Sequence, residues 1–123
     1  MRNQVLSIKQ MQELKELGID TSKASMCWFI GATPDLLPIY SPIEYVENEY
    51  IPTFTLYDIL EMLPKEIIKD GISYIKCLDA YYDERYLFLY INRDIQDILH
   101  EECDIPLEAA FNMLKWCKQN NYI

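Results

Sequence analysis

Four cysteines and a single histidine are the residues of this chain with the strongest potential for nucleophilic or metal chemistry. Cys27, Cys77, Cys103 and Cys117 lie 50, 26 and 14 positions apart, and none belongs to a Cys-x-x-Cys pair. Recurrent zinc sites need paired ligands roughly two to five residues apart. The spacing therefore predicts no metal site, and we expect reduced, structural thiols.

Cys27 lies in "SMCWFI", residues 25–30, where it could be a nucleophile or part of a core strand. A nucleophilic thiol needs a histidine, a cation or a helix N-terminus beside it to lower its pKa. The single imidazole, His100, lies far along the chain in the charged segment "HEEC". The apolar and aromatic stretch, closed by Gly31, predicts a core strand that buries Cys27.

Acidic side chains are concentrated in two short segments, "LDAYYDER" and "HEECD". Their ionisable residues are Asp79, Asp83, Glu84, Arg85, His100, Glu101, Glu102 and Asp104. Either segment could bind a divalent cation or supply an acid–base pair, yet neither has the spacing of a calcium loop. Gly18, Gly31 and Gly71 lie too far apart to form a phosphate-binding loop. We expect no catalytic residue, no metal ligand and no cofactor.

Eleven basic and twenty acidic residues give a formal net charge of −9. Such a chain is repelled by phosphate backbones and anionic lipid surfaces, so we expect neither nucleic-acid nor membrane binding. No apolar run approaches the roughly 20 residues that span a bilayer. The opening segment "MRNQVLSIKQMQELKELG" lacks the apolar block of a signal peptide, and we expect the protein in the cytoplasm.

Helices are predicted near both ends of the chain and in its middle. Ser7 and Gln10 fit a capping box that begins a helix over residues 8–17. In "TLYDILEMLP", Thr55 and Asp58 form a cap pair for a second helix. The final "PLEAAFNMLKWCKQNNYI" predicts another, whose buried stripe is Leu107, Ala110, Phe111 and Leu114.

The remaining segments are predicted as strands, an irregular region and one short helix. Residues 31–53 carry four prolines and predict a long irregular excursion, in which Tyr45, Val46, Tyr50 and Ile51 could add a short extended pair around Asn48. "ISYIKCLDAYY" and "YLFLYI" predict the two strands of a β-hairpin. Asp94 is predicted to cap a short helix whose apolar residues are Ile95, Ile98 and Leu99.

The strand "YLFLYI" has one aliphatic and one aromatic side, because side chains alternate along a strand. We expect the aliphatic side, which consists of Leu87, Leu89 and Ile91, to face the helices. The aromatic side would then be open, and Trp116 lies off the buried stripe of its helix. The candidate protein-contact surface is therefore Tyr86, Phe88, Tyr90 and Trp116. Either the 31–53 segment or another chain is expected to cover it.

Helices before and after a strand hairpin, without a β-α-β-α alternation, predict an α+β fold. We expect a single domain over residues 1–123, with a small antiparallel sheet of about three strands that includes the hairpin. Three or more helices would pack on one side of that sheet.

Three segments, "LGIDTSKASMCWF", "YIPTFTLYDILEMLP" and "AAFNMLKWCKQNNYI", carry a family likeness that extends over most of the chain. In their sequence and in their order along the chain, these segments resemble small uncharacterised proteins of gut Bacteroidales genomes, often found in prophages or other mobile elements. No activity is known for that family, so no site residue follows from it. The resemblance implies a cytosolic accessory protein of a mobile element.

The leading functional prediction is a non-enzymatic binding or regulatory accessory protein that acts through protein–protein contacts. Ten tyrosines favour it, because tyrosine covers area at recognition surfaces at low entropic cost. The partner could be a second copy of the chain, since two-fold dimers are the commonest assemblies. Two alternatives stay open: an acidic decoy that occupies the nucleic-acid-binding site of a host protein, and a hydrolase or transferase that uses the carboxylate segments.

Overall fold

The computed structural model describes residues 5–30, 34–38, 50–80 and 85–123. The elements in chain order are α1 (Ile8–Glu16), β1 (Met26–Ile30), β2 (Pro34–Pro38), β3 (Tyr50–Thr53), α2 (Leu56–Met62), β4 (Glu66–Lys69), β5 (Ile72–Ala80), β6 (Tyr86–Asn92), β7 (Asp97–Asp104) and α3 (Pro106–Gln119). The chain divides into two compact units, Met1–Ile59 and Leu60–Ile123. Compact units need not fold independently, so the single domain over residues 1–123 stays a prediction.

The capping box at the start of α1 is formed as predicted. Ser7 Oγ accepts a hydrogen bond from the Gln10 backbone N–H (3.1 Å), and Gln10 Oε1 accepts one from the Ser7 N–H (2.9 Å). The helix buries Met11 and Leu14, and Gly18 follows its end with a φ of +89°. Glycine adopts this left-handed conformation at low cost, which explains why the helix ends there.

A small antiparallel sheet in the first unit has the strand order β2-β1-β3. Cys27 in β1 is 1% exposed, which confirms the predicted core strand. The prediction of an irregular excursion is wrong for residues 34–38, which form β2, whereas Tyr50 and Ile51, predicted as one half of a short extended pair, lie in β3. Residues 31–33 and 39–49, which include the other half of that pair, lie outside the described residues. The central strand β1 needs backbone partners on both sides, and β2 and β3 supply them. As edge strands, β2 and β3 tolerate proline because one side of their backbone is not used for pairing.

Hydrogen bonds satisfy the buried polar groups of the first unit. The Leu6 carbonyl accepts from Trp28 Nε1 (2.9 Å) and from Thr53 Oγ1 (2.6 Å). The predicted cap pair of α2 is confirmed: the Asp58 N–H donates to Thr55 Oγ1 (3.1 Å), and the Thr55 N–H donates to Asp58 Oδ2 (3.0 Å). Throughout the described ranges, no buried side-chain nitrogen or oxygen lacks a partner.

A larger antiparallel sheet in the second unit has the order β4-β5-β6-β7, and we call it the large sheet. The pairing of β5 with β6 confirms the two predicted hairpin strands, although residues 81–84 between them lie outside the described residues. Asp70 and Gly71 join β4 to β5 with φ values of 53° and 78°. Positive φ at both central residues is the signature of a type I′ hairpin turn.

The short helix predicted at Asp94 is wrong. Residues 93–96 form a turn, and Ile98 lies in β7, which pairs with β6. Asn92 Oδ1 accepts hydrogen bonds from the backbone N–H groups of Asp94 (3.0 Å) and Ile95 (3.2 Å), which fixes the turn. Because β6 also needs a backbone partner on its second edge, strand pairing outweighs the short helical pattern.

The C-terminal helix is confirmed as α3, and its predicted stripe is buried, but it packs on the aromatic side of β6. The Tyr90 ring lies 6.2 Å from that of Trp116, and the Tyr90 hydroxyl donates to the Pro64 carbonyl (2.7 Å). Phe88 and Tyr90 are 0% exposed. The prediction that Leu87, Leu89 and Ile91 face the helices is therefore wrong for α3. Aromatic rings bury more area than aliphatic side chains, and the tyrosine hydroxyl finds an acceptor.

The α+β class and the antiparallel strand arrangement are confirmed, with three helices in the described ranges. The prediction of one small sheet of about three strands, packed on one side by three or more helices, matches only roughly. The strands form two sheets, of three and four strands, and the helix that packs on the large sheet is α3.

We expect Phe88→Ala to lower the free energy of unfolding by about 3–5 kcal/mol, because it leaves a cavity beneath α3. Ile75→Ala, on the opposite side of the sheet at 51% exposure, is the matched control and should cost much less. Urea denaturation followed by far-UV circular dichroism measures both. Equal losses for the two variants would show that α3 does not cover the aromatic side.

Candidate functional site

A row of isoleucines crosses the large sheet on the side opposite α3. Ile75 on β5 lies opposite Ile91 on β6, which in turn lies opposite Ile98 on β7. Because side chains alternate along each strand, the row points away from Tyr90. Ile68 on β4 lies on the same side, two positions from the residue that pairs with Ile75. We call Ile68, Ile75, Ile91 and Ile98 the isoleucine face.

Much of the isoleucine face is open to solvent. Ile68 is 65% exposed, Ile75 is 51% exposed and Ile98 is 44% exposed, while Ile91 is half-buried. Leu89, one row further along β6 on the same side, is 3% exposed and marks where the open area ends. A contiguous apolar patch of this kind is unusual on a protein surface unless it binds something.

A cavity of about 480 Å³ opens beside the row. Its lining residues are Ser73, Ile75, Lys76, Cys77, Ile91, Asn92, Arg93 and Asp94. Arg93 extends from the turn after β6 to β5, where its Nη2 donates to Cys77 Sγ at 3.2 Å. Asn92 Nδ2 donates to the Ser73 carbonyl (3.0 Å) and ties the end of β6 to β5. The cavity therefore exposes Ile75 and Ile91 among polar lining residues, and the Arg93 guanidinium group reaches across it to Cys77.

Exposed carboxylates lie on the same side of the large sheet as the isoleucine face, at one end of the isoleucine row and along one flank of it. By the same strand registers, Glu66, Asp79 and Glu101 lie on this side of the large sheet. Glu66 Oε2 accepts from Ser73 Oγ (2.6 Å), and Asp79 Oδ1 accepts from the Cys77 thiol (3.6 Å). Within the described ranges, none of the three carboxylates forms an ion pair. They form what we call the carboxylate rim.

The predicted contact residues Tyr86, Phe88, Tyr90 and Trp116 do not form an open surface. Phe88 and Tyr90 are fully buried, and Tyr86 and Trp116 are half-buried. The Trp116 ring stacks on that of His100, with 4.2 Å between centroids and 3° between planes. The fold thus packs Tyr90 of β6 against Trp116 of α3, and Phe88 and Tyr90 are not accessible to a partner.

The two predicted carboxylate segments are divided between the sides of the large sheet: Asp79 and Glu101 belong to the carboxylate rim, whereas His100 and Glu102 lie on the α3 side. His100 Nε2 and Glu102 Oε1 lie 3.1 Å apart, on the α3 side of β7. Asp83 and Glu84 lie outside the described residues. Among the residues that are described, no group of three or more His, Cys, Asp or Glu side chains is arranged to hold a metal ion.

The isoleucine face is not predicted from the sequence. Ile98 follows Ile95 at helical spacing in a segment that continues with polar residues, so the pattern predicts a helix where β7 lies. One local signal was available. Asp70-Gly71 between apolar residues is typical of a two-residue hairpin, and that hairpin sets the β4–β5 register.

No protein-family model matches the chain, and neither a curated protein nor a solved structure does. In the part of the chain that the structure describes, no helix is long and apolar enough to cross a membrane. The function is therefore inferred from the isoleucine face and its surroundings.

The four cysteines are free thiols in two kinds of environment. Cys27 and Cys117 are buried, and burial raises the pKa of the Cys27 thiol and raises that of Cys117 to about 11. Cys77 is half-buried beside the cavity, and Cys103 is exposed. A raised pKa and burial both suppress the thiolate that reacts, so the first pair is expected to be inert.

We expect Cys77 and Cys103 to react with Ellman's reagent in the folded protein at mildly alkaline pH, and Cys27 and Cys117 only after unfolding in urea. The released chromophore counts the thiols at each stage. A Cys77→Ser/Cys103→Ser variant serves as the control and should react only when unfolded. Rapid reaction of that variant in its folded state would contradict the burial of the other two thiols.

Proposed function

We propose that the protein is a non-enzymatic binding protein of the cytoplasm that engages a partner protein through the isoleucine face. The observation that carries the proposal is the exposure of Ile68, Ile75 and Ile98 on one side of a sheet whose other side is packed against α3. The family resemblance of the sequence adds an accessory role in a mobile element to this proposal.

The isoleucine face has enough apolar area to anchor a complementary surface. Complete burial of an isoleucine side chain contributes about 1.5–3 kcal/mol, so covering the exposed half contributes roughly 1 kcal/mol per residue. Clustering matters as well, because contacts at the centre of an interface exclude water from one another and supply most of the binding energy. The row of Ile75, Ile91 and Ile98 fits the centre of such an interface.

The acidic-decoy alternative differs from this proposal in its dependence on salt. A decoy of nucleic acid binds through its carboxylates, and its complex weakens steeply as ionic strength rises. A contact centred on isoleucines retains most of its affinity, because the hydrophobic effect is not screened by salt.

The enzyme alternative calls for facing carboxylates in a cleft. Among the described residues, the lining of the cavity contains one carboxylate residue, Asp94. This composition favours binding over a carboxylate-based hydrolase or transferase.

Photo-crosslinking in cells that contain the protein natively tests the proposed function. A photo-reactive amino acid in place of Ile98 should give covalent adducts with a partner protein, detected as higher-mass bands and identified by mass spectrometry. The same amino acid in place of Ile123, which is 39% exposed at the C-terminus, is the matched control and should give none.

A charge at the centre of the row provides a second control. Ile75→Asp, combined with the crosslinker at position 98, should abolish the adducts, because a carboxylate there would be buried without a partner. Circular dichroism verifies that this variant is folded. Adducts of equal yield from positions 98 and 123, or adducts that persist with Ile75→Asp, would refute the proposed function.

A further inference from the structure

The isoleucine row has nearly the spacing of helical turns. Neighbouring strands lie about 4.8 Å apart. Ile75, Ile91 and Ile98 therefore follow one another at about that interval across the sheet. One turn of an α-helix rises about 5.4 Å. A helix that lies along the row can thus place one apolar side chain from each successive turn against one isoleucine.

The carboxylate rim determines which charges suit such a helix. Glu66 lies at the β4 end of the row, beside Ile75, and Glu101 lies on β7 on the same side of the sheet. Both are exposed, and neither forms an ion pair within the described ranges. Asp79 on β5 adds a third carboxylate. An apolar stripe with cations along its borders is complementary to this arrangement.

Arg93 lies over this side of the sheet, where its Nη2 donates a hydrogen bond to Cys77 Sγ. Its charge opposes a basic partner and favours an acidic one. Removing the Arg93 charge should therefore raise the affinity for a basic occupant and lower the affinity for an acidic one. Arg93 variants thus report the charge of the occupant directly.

A second copy of the chain is a poorer occupant than a basic helix. Each copy has a formal net charge of −9, so two copies repel one another at long range. A face-to-face dimer would also bring the two carboxylate rims together, and like charges in an interface are unfavourable.

We infer that the isoleucine face binds a basic amphipathic helix of the partner protein, with its apolar stripe on the isoleucine row and its lysines or arginines on the carboxylate rim. This inference rests on the proposed function and specifies the chemistry of the partner. The protein's net negative charge also accelerates the encounter with such a helix.

The test uses a synthetic helical peptide of about 18 residues, or five turns, with leucine on one face and lysine on the other. A second peptide carries glutamate in place of lysine. Isothermal titration with the full chain should detect binding of the lysine peptide and none of the glutamate peptide. Ile98→Ser should weaken binding of the lysine peptide, and Ile123→Ser, the matched control, should not.

Charge variants provide the sharper part of the test. Glu66→Gln/Glu101→Gln should weaken binding of the lysine peptide roughly three- to tenfold, as expected for two exposed ion pairs. Arg93→Gln should strengthen it by roughly two- to fivefold. Asp97→Asn/Glu102→Gln removes two carboxylates from the α3 side of β7 and should leave the affinity unchanged apart from a small long-range effect.

Three results would overturn the inference. These are equal binding of the two peptides, equal effects of the Glu66→Gln/Glu101→Gln and Asp97→Asn/Glu102→Gln variants, and weaker binding with Arg93→Gln. A dimer seen by sedimentation equilibrium and lost in Ile98→Ser would identify a second copy as the occupant and would also overturn it. If crosslinking at position 98 still captures a partner in these cases, the proposed function stands and only the basic helix is rejected.

Discussion

Tyr90 lies beneath α3, with its ring 6.2 Å from that of Trp116 and its hydroxyl hydrogen-bonded to the Pro64 carbonyl. The contact determines which side of the large sheet the helix covers. Because consecutive side chains of a strand point to opposite sides, Ile91 must then face away from α3. Its register partners on β5 and β7 face the same way. One packing interaction thus decides which residues of three neighbouring strands remain open to solvent.

The open side combines an apolar centre with a charged border. Exposed isoleucines can contribute binding energy, whereas the rim carboxylates can select the charge of what binds. Arg93 lies between these two features, since it reaches from the turn after β6 to Cys77 beside the row. Protein binding through this side uses all three features, whereas the thiols Cys27 and Cys117 are buried and contribute to packing.

Local signals predict most of the secondary structure. Two helix caps, Ser7 with Gln10 and Thr55 with Asp58, are hydrogen-bonded within one helical turn. Their pairing can therefore be inferred from residues that are close in sequence. The side of β6 that α3 covers cannot be inferred from the local sequence. Both sides of that strand are apolar, and only packing with a distant helix distinguishes them. The isoleucine face depends on the registers of four strands, which are set by the Asp70-Gly71 turn and the bulge in β7 rather than by any single segment.

The solvent exposure of the isoleucine methyl groups tests directly whether the isoleucine face is open for binding. In a sample with ¹³C-labelled isoleucine methyls, a soluble paramagnetic agent should broaden the signals of Ile75 and Ile98 strongly. The signals of Ile59 and Ile67, which are 0% and 4% exposed, should remain sharp. If Ile75 and Ile98 are as well protected as Ile67, the side opposite α3 is covered and the isoleucine face is not a binding surface.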